Sequence, residues 1–313
     1  MIDPIAEARR RLGLARRFYD EGRAEEAVVV AETALAVVEH AGGPNHPAIA
    51  GACIELSLLH ERLSQYTKSE RYARRAIVIT EEYSRADETL VRLRVKALGC
   101  LAMVERVRNR FGSSEVLYRS ALDLAENGTW PHPEELAELM CGLGAVYLFS
   151  SRFIEAEALY RQALDLVGSE KATSAVVWHH LAELDLMLSR FDTGESYARR
   201  ALLLREAALG PNHAATANER AMLAAVLARQ GNLDMAEKLF RKAISTFERV
   251  LPPNHYDLAV ACADFGMLMA AKGNIAAAGR LTQRALDIKT KILGRNHPEV
   301  RQAVADLTRF TAR

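Results

Sequence analysis

Five of the nine histidines stand in one recurring context. Gly43-Pro44-Asn45-His46-Pro47 returns as Gly210-Pro211-Asn212-His213, as Pro252-Pro253-Asn254-His255 and as Gly294-Arg295-Asn296-His297-Pro298. A degraded copy reads Trp130-Pro131-His132-Pro133. Imidazole suits proton transfer near neutrality and metal ligation, but this setting argues for another use. Proline at the first helical position forfeits no hydrogen bond, and Asn or His ahead of it caps free N–H groups. The motif therefore reads as a helix start. His179 and Glu183 are a different case. They are four apart with His180 alongside, so on a helix they share a face and could bind a metal or exchange a proton with a ligand. A metal would need a third ligand from elsewhere in the chain, and a polar surface patch is the plainer reading.

The remaining chemistry-bearing residues point away from catalysis. Cys53, Cys100, Cys141 and Cys262 are far apart and form no C-x-x-C pair, so they read as reduced, buried, small hydrophobes of a cytoplasmic protein. No nucleophile elbow, phosphate loop, HExxH or dinucleotide motif is present. The expectation is a protein that is not an enzyme and takes no cofactor or metal. Lys and Arg number 41 against 40 Asp and Glu, a formal charge of +1, which argues against nucleic acid or an anionic membrane as partner. The N-terminus lacks the apolar core of a signal peptide, and the longest aliphatic run, residues 27–31, is too short to span a bilayer.

The elements that would position these residues are themselves repeated. A second marker, read as Glu32-Thr33-Ala34-Leu35 through Gln283-Arg284-Ala285-Leu286, places alanines at 34, 76, 121, 163, 201, 243 and 285. The spacings are 42, 45, 42, 38, 42 and 42. A fixed period of this size marks an array of stacked supersecondary units. Each unit reads as two helices. In the seventh, Leu258, Ala259, Cys262, Phe265, Gly266 and Met269 recur at helical spacing, Lys272-Gly273-Asn274 breaks the pattern, and Ala278, Leu281, Ala285 and Ile288 resume it.

Within each unit small residues recur where helices cross: Gly266, Gly273, Ala278 and Ala285 in the seventh, Ala224, Gly231, Ala236 and Ala243 in the sixth, Gly144, Ser151, Ala156 and Ala163 in the fourth. Phe240 and Tyr160 hold the large position between the last two. Leu143, Gly144 and Tyr147, with Trp178 and Leu181, complete a pattern that resembles the tetratricopeptide repeat. The 42-residue period and the linking Asn-His-Pro are similar to its kinesin-light-chain-like subtype. The resemblance implies an all-α, right-handed solenoid of seven helix-turn-helix units. As one domain over 1–313, its repeats would lie near 4–42, 43–84, 85–129, 130–170, 171–210, 211–251 and 252–294, with a capping helix at 297–311.

The same resemblance implies that the first helix of each repeat lines a ligand groove. Counted from the small residue of each unit, the groove would present Arg9, Arg16 and Tyr19, then Leu58, then Lys96, Met103 and Arg106. Glu138, Leu148 and the adjacent Phe149 follow, then His179, Glu183 and the adjacent Met187. The last two units contribute mostly alanine. The residues of the family's carboxylate clamp and paired asparagines are absent. Arg92, Arg94, Lys96, Arg106, Arg108 and Arg110 face Glu105 alone over residues 92–110, which leaves a local charge of +5. This is either a solvated face offset by neighbours or a docking patch for an acidic segment.

The expected function is a non-enzymatic scaffold or adaptor that holds a peptide or helix of a partner protein, such as an amphipathic helix with acidic flanks. Nucleic acid and membrane are not expected partners, and self-association stays open. The alternative is a peptide- or ligand-responsive regulator of the bacterial tetratricopeptide receptor type. A third reading is an accessory factor or enzyme that uses His179 and Glu183.

Overall fold

A computed structural model describes residues 3–43, 46–82, 87–126 and 132–311. Pro44, Asn45, Trp130 and Pro131 of the recurring motif lie outside these. The described residues form fifteen α-helices, one 3-10 turn and no strand. They fall into two compact units, residues 1–132 and 133–313.

The first unit holds α1 (Pro4–Asp20), α2 (Ala24–Gly42), α3 (Pro47–Arg62), α4 (Tyr66–Glu81), α5 (Glu88–Val107) and α6 (Phe111–Glu126). The second holds α7 (Pro133–Phe149), α8 (Phe153–Val167), α9 (Ala175–Met187), α10 (Phe191–Leu209), α11 (Ala214–Arg229), α12 (Leu233–Val250), α13 (Tyr256–Ala271), α14 (Ile275–Leu293) and α15 (Pro298–Thr311). The 3-10 turn Ala172–Ser174 precedes α9. The fourteen helices before α15 pair in order as seven helix-turn-helix units, and α15 covers α14. Within each unit of the chain the first helices of successive pairs also pack side by side: α1, α3 and α5 in one, α7, α9, α11 and α13 in the other. They form an inner layer, with the second helices spread outside it.

The recurring histidines are helix caps. Nδ1 of His46, His213, His255 and His297 accepts the backbone N–H of Ala48, Ala215, Asp257 and Glu299, at 3.1, 3.1, 3.2 and 3.3 Å. These four imidazoles each satisfy one of the free donors at a helix start.

The turn inside each pair is also conserved in geometry, though not in sequence. Gly22, Ser64, Asn109, Ser151, Ser189, Gly231 and Gly273 all have positive φ, between 58° and 88°. Each is followed by a residue whose N–H returns to the carbonyl five residues back, as in Arg23 to Phe18 at 2.8 Å and Arg152 to Tyr147 at 2.8 Å. This 6→1 bond closes the helix. Where the residue after the left-handed position is arginine, its side chain also meets the residue five back. Arg23 lies 3.8 Å from the Phe18 ring centre and Arg152 lies 3.9 Å from that of Tyr147. Where a buried carboxylate replaces the aromatic ring, the same arginine forms an ion pair: Arg110 to Glu105 at 3.4 Å and Arg190 to Asp185 at 3.6 Å.

Small residues set the helix crossing within a pair. A Cβ on Gly144 would run into the Tyr160 ring, and one on Gly266 would sit 2.7 Å from Thr282 Oγ1. In the first unit Ser57 holds this position and bonds Ser69 Oγ of the facing helix at 3.0 Å instead. Burial of Tyr160, Phe240 and Phe247 in the second unit and of Ile49, Ile54 and Leu56 in the first supplies the apolar core.

Candidate functional site

In the first unit, Arg9, Arg16 and Tyr19 lie on α1, Leu58 on α3, and Lys96, Met103 and Arg106 on α5. The inner layer brings these three helices together, and most of the charge there is already engaged. Arg16 Nε donates to Glu55 Oε2 across α1 and α3 at 2.6 Å. The Tyr19 hydroxyl donates to the Arg62 carbonyl at 3.4 Å, and the Arg62 guanidinium sits 5.3 Å from its ring centre. Leu58 is half-buried against the core. Arg106 approaches Tyr118, whose hydroxyl is pushed up to about 12 by burial. Within the basic stretch, Arg94 pairs with Glu81 at 3.0 Å, Arg108 with Glu70, and Arg110 with Glu105. A local excess read along one segment is thus largely offset by carboxylates from other turns and helices.

In the second unit, Glu138 is exposed on α7, and Phe149 and Met187 project from the ends of α7 and α9. Leu148 is a correction. It is fully buried and offers a partner nothing. It lies four residues after Gly144 on α7, where burying an apolar side chain is favoured over exposing it.

His179 and Glu183 both lie on α9, and the hydrogen-bond partner of His179 comes from another helix. His179 Nδ1 bonds Glu219 Oε2 on α11 at 2.7 Å. Glu219 is 3% exposed, and Arg205 Nε stands 3.6 Å from its other oxygen. Burial disfavours the charge on His179, but Glu219 overrides it, with a smaller contribution from Glu183, and the imidazole ends at about 9. It is a held imidazolium at neutral pH. Glu183 instead approaches His180 Nδ1 at 3.3 Å, and the His180 ring stacks on Tyr160 at 5.3 Å.

Residue-by-residue reading missed what lies beyond. Asp264 on α13 is pushed up to about 6 by burial, against the pull of Lys289 and with the added repulsion of Glu183 and Glu299. Glu299 accepts from Tyr256 at 2.7 Å and pairs with Lys289 at 2.8 Å. The available signal was register: Asp264 stands two residues before Gly266, as His180 stands two before Ala182. Among the described residues no group of three or more His, Cys, Asp or Glu could hold a metal ion. All four cysteines are buried and free, and burial pushes their thiols up to about 11 or 12. An open cleft of about 490 Å³ lies between Glu170, Trp178, Tyr197, Arg200 and Leu203. The Trp178 indole N–H is committed to the Ser169 carbonyl at 3.1 Å. No described helix is long and apolar enough to cross a membrane.

Comparison with known proteins agrees with this architecture. The tetratricopeptide repeat profile matches residues 93–167, 173–249 and 218–291. A search of curated protein sequences finds no match. Among solved structures, the chain is similar to the Rap conjugation gene regulator of the plasmid pLS20 in complex with the Phr* peptide, at TM-score 0.71 and 12% identity, over 94% of this chain and 75% of that one. It is similar to a Rap protein complexed with competence and sporulation factor, at TM-score 0.67 and 13% identity, over 98% and 86%. It is also similar to BtubC (BKLC) from P. vanneervenii, at TM-score 0.53 and 23% identity, over 76% and 93%. At these identities the likeness is one of fold. The profile covers more than half of the chain, which belongs to the tetratricopeptide repeat family.

Proposed function

We propose that the chain is a non-catalytic interaction scaffold that holds a peptide or helix of a partner protein on its inner layer of first helices. One observation carries this reading: the second unit's inner layer leaves large apolar side chains in solvent, Met187 at 47% and Met267 at 43% exposed, beside half-buried polar groups. Solvated apolar surface rimmed by polar groups marks interaction sites. Two structural neighbours are complexed with a competence and sporulation factor and with the Phr* peptide, which supports a peptide-sized ligand. The His179 imidazolium, held by Glu219, has no free base to offer at neutral pH, which supports a role without catalysis. The protonated thiols fit a reducing compartment such as the cytoplasm.

A photo-crosslinking residue at Met187 tests the reading in the native cell, with the same residue at Ile154 on the outer layer, 84% exposed, as control. Discrete adducts from position 187 and none from 154 are expected. Equal labelling from both positions would remove the inner layer from the argument. A peptide-responsive regulator is the second reading, favoured by the Rap-like fold over nearly the whole chain. It requires a ligand-dependent change in small-angle scattering, which a static scaffold does not show.

A further inference from the structure

We propose that His60 is an acid-released latch on the α3–α4 turn of the first unit: the neutral ring holds the turn closed, and a proton on that ring opens it. This goes beyond the scaffold reading and does not depend on it.

The latch stands at a recurring place. In each turn the N–H after the left-handed residue bonds the carbonyl five residues back. Ser64 is the left-handed residue here, at φ 58°, so the pair is Gln65 and His60. The two are tied twice. Gln65 N–H donates to the His60 carbonyl at 2.7 Å, and His60 Nδ1 donates to Gln65 Oε1 at 2.9 Å. Gln65 also begins α4, since its carbonyl accepts from the N–H groups of Lys68 and Ser69 at 3.0 and 3.1 Å. At the position of His60 the other turns carry Phe18, Glu105, Tyr147, Asp185, Leu227 and Met269. Of these residue types only histidine ordinarily changes charge between pH 5 and 8.

The site takes an imidazole ring and resists a charge. His60 is 0% exposed, and its ring stacks on Tyr72 of α4 at 5.5 Å. Nε2 is buried and has no hydrogen-bond partner among the described residues. A proton there creates a buried cation whose N–H meets no acceptor, and both features are costly. A tyrosine face attracts a cation, but Arg71 already supplies one, 4.8 Å from the Tyr72 ring centre. Lys68 and Arg71 on α4 oppose the proton, and Glu32 on α2 favours it. α1 and α5, the other helices packed on α3, weigh less. Arg16 of α1 is taken up by Glu55, and Glu105 of α5 by Arg74 and Arg110. On α3 itself, Glu61 acts on Cys100 and Tyr118, and the Arg62 guanidinium sits over the Tyr19 ring. Burial outweighs the Gln65 bond and pushes the His60 pKa below 6.5. The unfolded ring thus takes a proton more readily than the folded one. The latch is therefore complete above pH 6.5 and is lost as pH falls through the folded value. Opening the turn returns the ring to water.

Hydrogen exchange of the full chain tests this, read by mass spectrometry at pH 7.5 and pH 5 and corrected for the intrinsic pH dependence of exchange. Segment 61–66 should lose protection several-fold at pH 5, whereas segment 148–153, which follows Tyr147 at the equivalent turn, should keep its own. His60→Phe installs the residue type of Phe18 and should remove the pH dependence of segment 61–66. Equal loss in both segments, no loss in 61–66, or the same loss in the variant overturns the latch. Should His60→Phe fail to fold, the wild-type ring decides, through a titration of the His60 Cε1–H resonance assigned from the backbone. A ring that stays neutral through the ordinary range of histidine bears the latch out, and one that takes its proton at the ordinary value overturns it.

Discussion

The two compact units share one architecture and carry opposite charge on it. The first helices of the first unit, α1, α3 and α5, hold ten Lys and Arg against six Asp and Glu. Those of the second unit, α7, α9, α11 and α13, hold eight Asp and Glu against two Arg. The repeat dictates where a side chain points and leaves its chemistry free. The two units also differ in how charge is satisfied. In the first, carboxylates such as Glu55, Glu70 and Glu105 meet arginines whose side chains reach water. In the second, Glu219 is sealed in with a histidine and an arginine, and Asp264 is left over. Near-neutrality of the whole chain hides both facts.

The sharpest structural contrast is in the glycines, and breaking it should give the largest effect. Gly144 in the second unit is packed against the Tyr160 ring, whereas Gly112 on α6 of the first has nothing within 4 Å of an added Cβ. Gly144→Leu should cost about 3 kcal/mol or more, as overpacking against a fixed ring does. Gly112→Ala should be neutral or stabilise by up to about 0.5 kcal/mol through helix propensity. Thermal unfolding monitored by circular dichroism separates them. A Gly144→Leu protein that melts like the wild type would mean that α8 is free to move away.

The buried carboxylates sharpen the comparison next. Glu219→Gln leaves the His179 imidazolium and Arg205 short of a counter-charge, and about 2 kcal/mol of destabilisation is expected. Glu105→Gln in the first unit should cost less, because Arg74 and Arg110 are both more than half exposed and the pair is screened. The pH dependence differs as well. The His179 pKa is raised in the fold, from 6.5 to about 9, so its stabilisation is complete below pH 6.5 and is lost as pH rises through 9. Urea midpoints at pH 6 and pH 9.5 should fall for the wild type and show a smaller drop for His179→Gln. Identical drops would mean that the His179–Glu219 bond does not hold the proton.

Much of the fold was legible because it is written seven times. The alanine spacing places the helix pairs, and the histidines before proline cap as their position requires. The candidate site was less legible, for a physical reason. An i, i+4 rule sees one helix, so it puts His179 and Glu183 on a shared face and misses Glu219, 40 residues away, which the stacked array brings to 2.7 Å from the ring. The same blindness left residues 92–110 open between a face offset by neighbours and a docking patch, because Glu81 and Glu70 lie outside the segment. Leu148 looked like a groove residue because register alone does not say how deeply a side chain is buried. The turns were half-legible: Gly273 announces a left-handed residue, whereas Ser64, Asn109, Ser151 and Ser189 adopt the same φ with nothing in their type to demand it.

Those turns give the smallest effect and the test most evenly spread over both units. A side chain in the left-handed region costs about 1–2 kcal/mol relative to right-handed backbone, and glycine escapes that cost. Four of the seven turns bear it, Ser64 and Asn109 in the first unit and Ser151 and Ser189 in the second, while the 6→1 bond holds the conformation. Replacing Ser151 or Ser189 with glycine should therefore stabilise by roughly 0.5 kcal/mol, the relief of strain being partly offset by the greater entropy of glycine in the unfolded chain. Asn109→Gly should gain less, because asparagine tolerates this region better than serine. Gly231→Ser should run the other way by a similar amount, since it installs at φ 88° the strain its neighbours carry. Four single variants measured by urea unfolding complete the comparison. If the serine variants lose stability instead, the serine side chains hold the turn by contacts that outweigh the backbone cost, and turn chemistry, like surface charge, is set repeat by repeat.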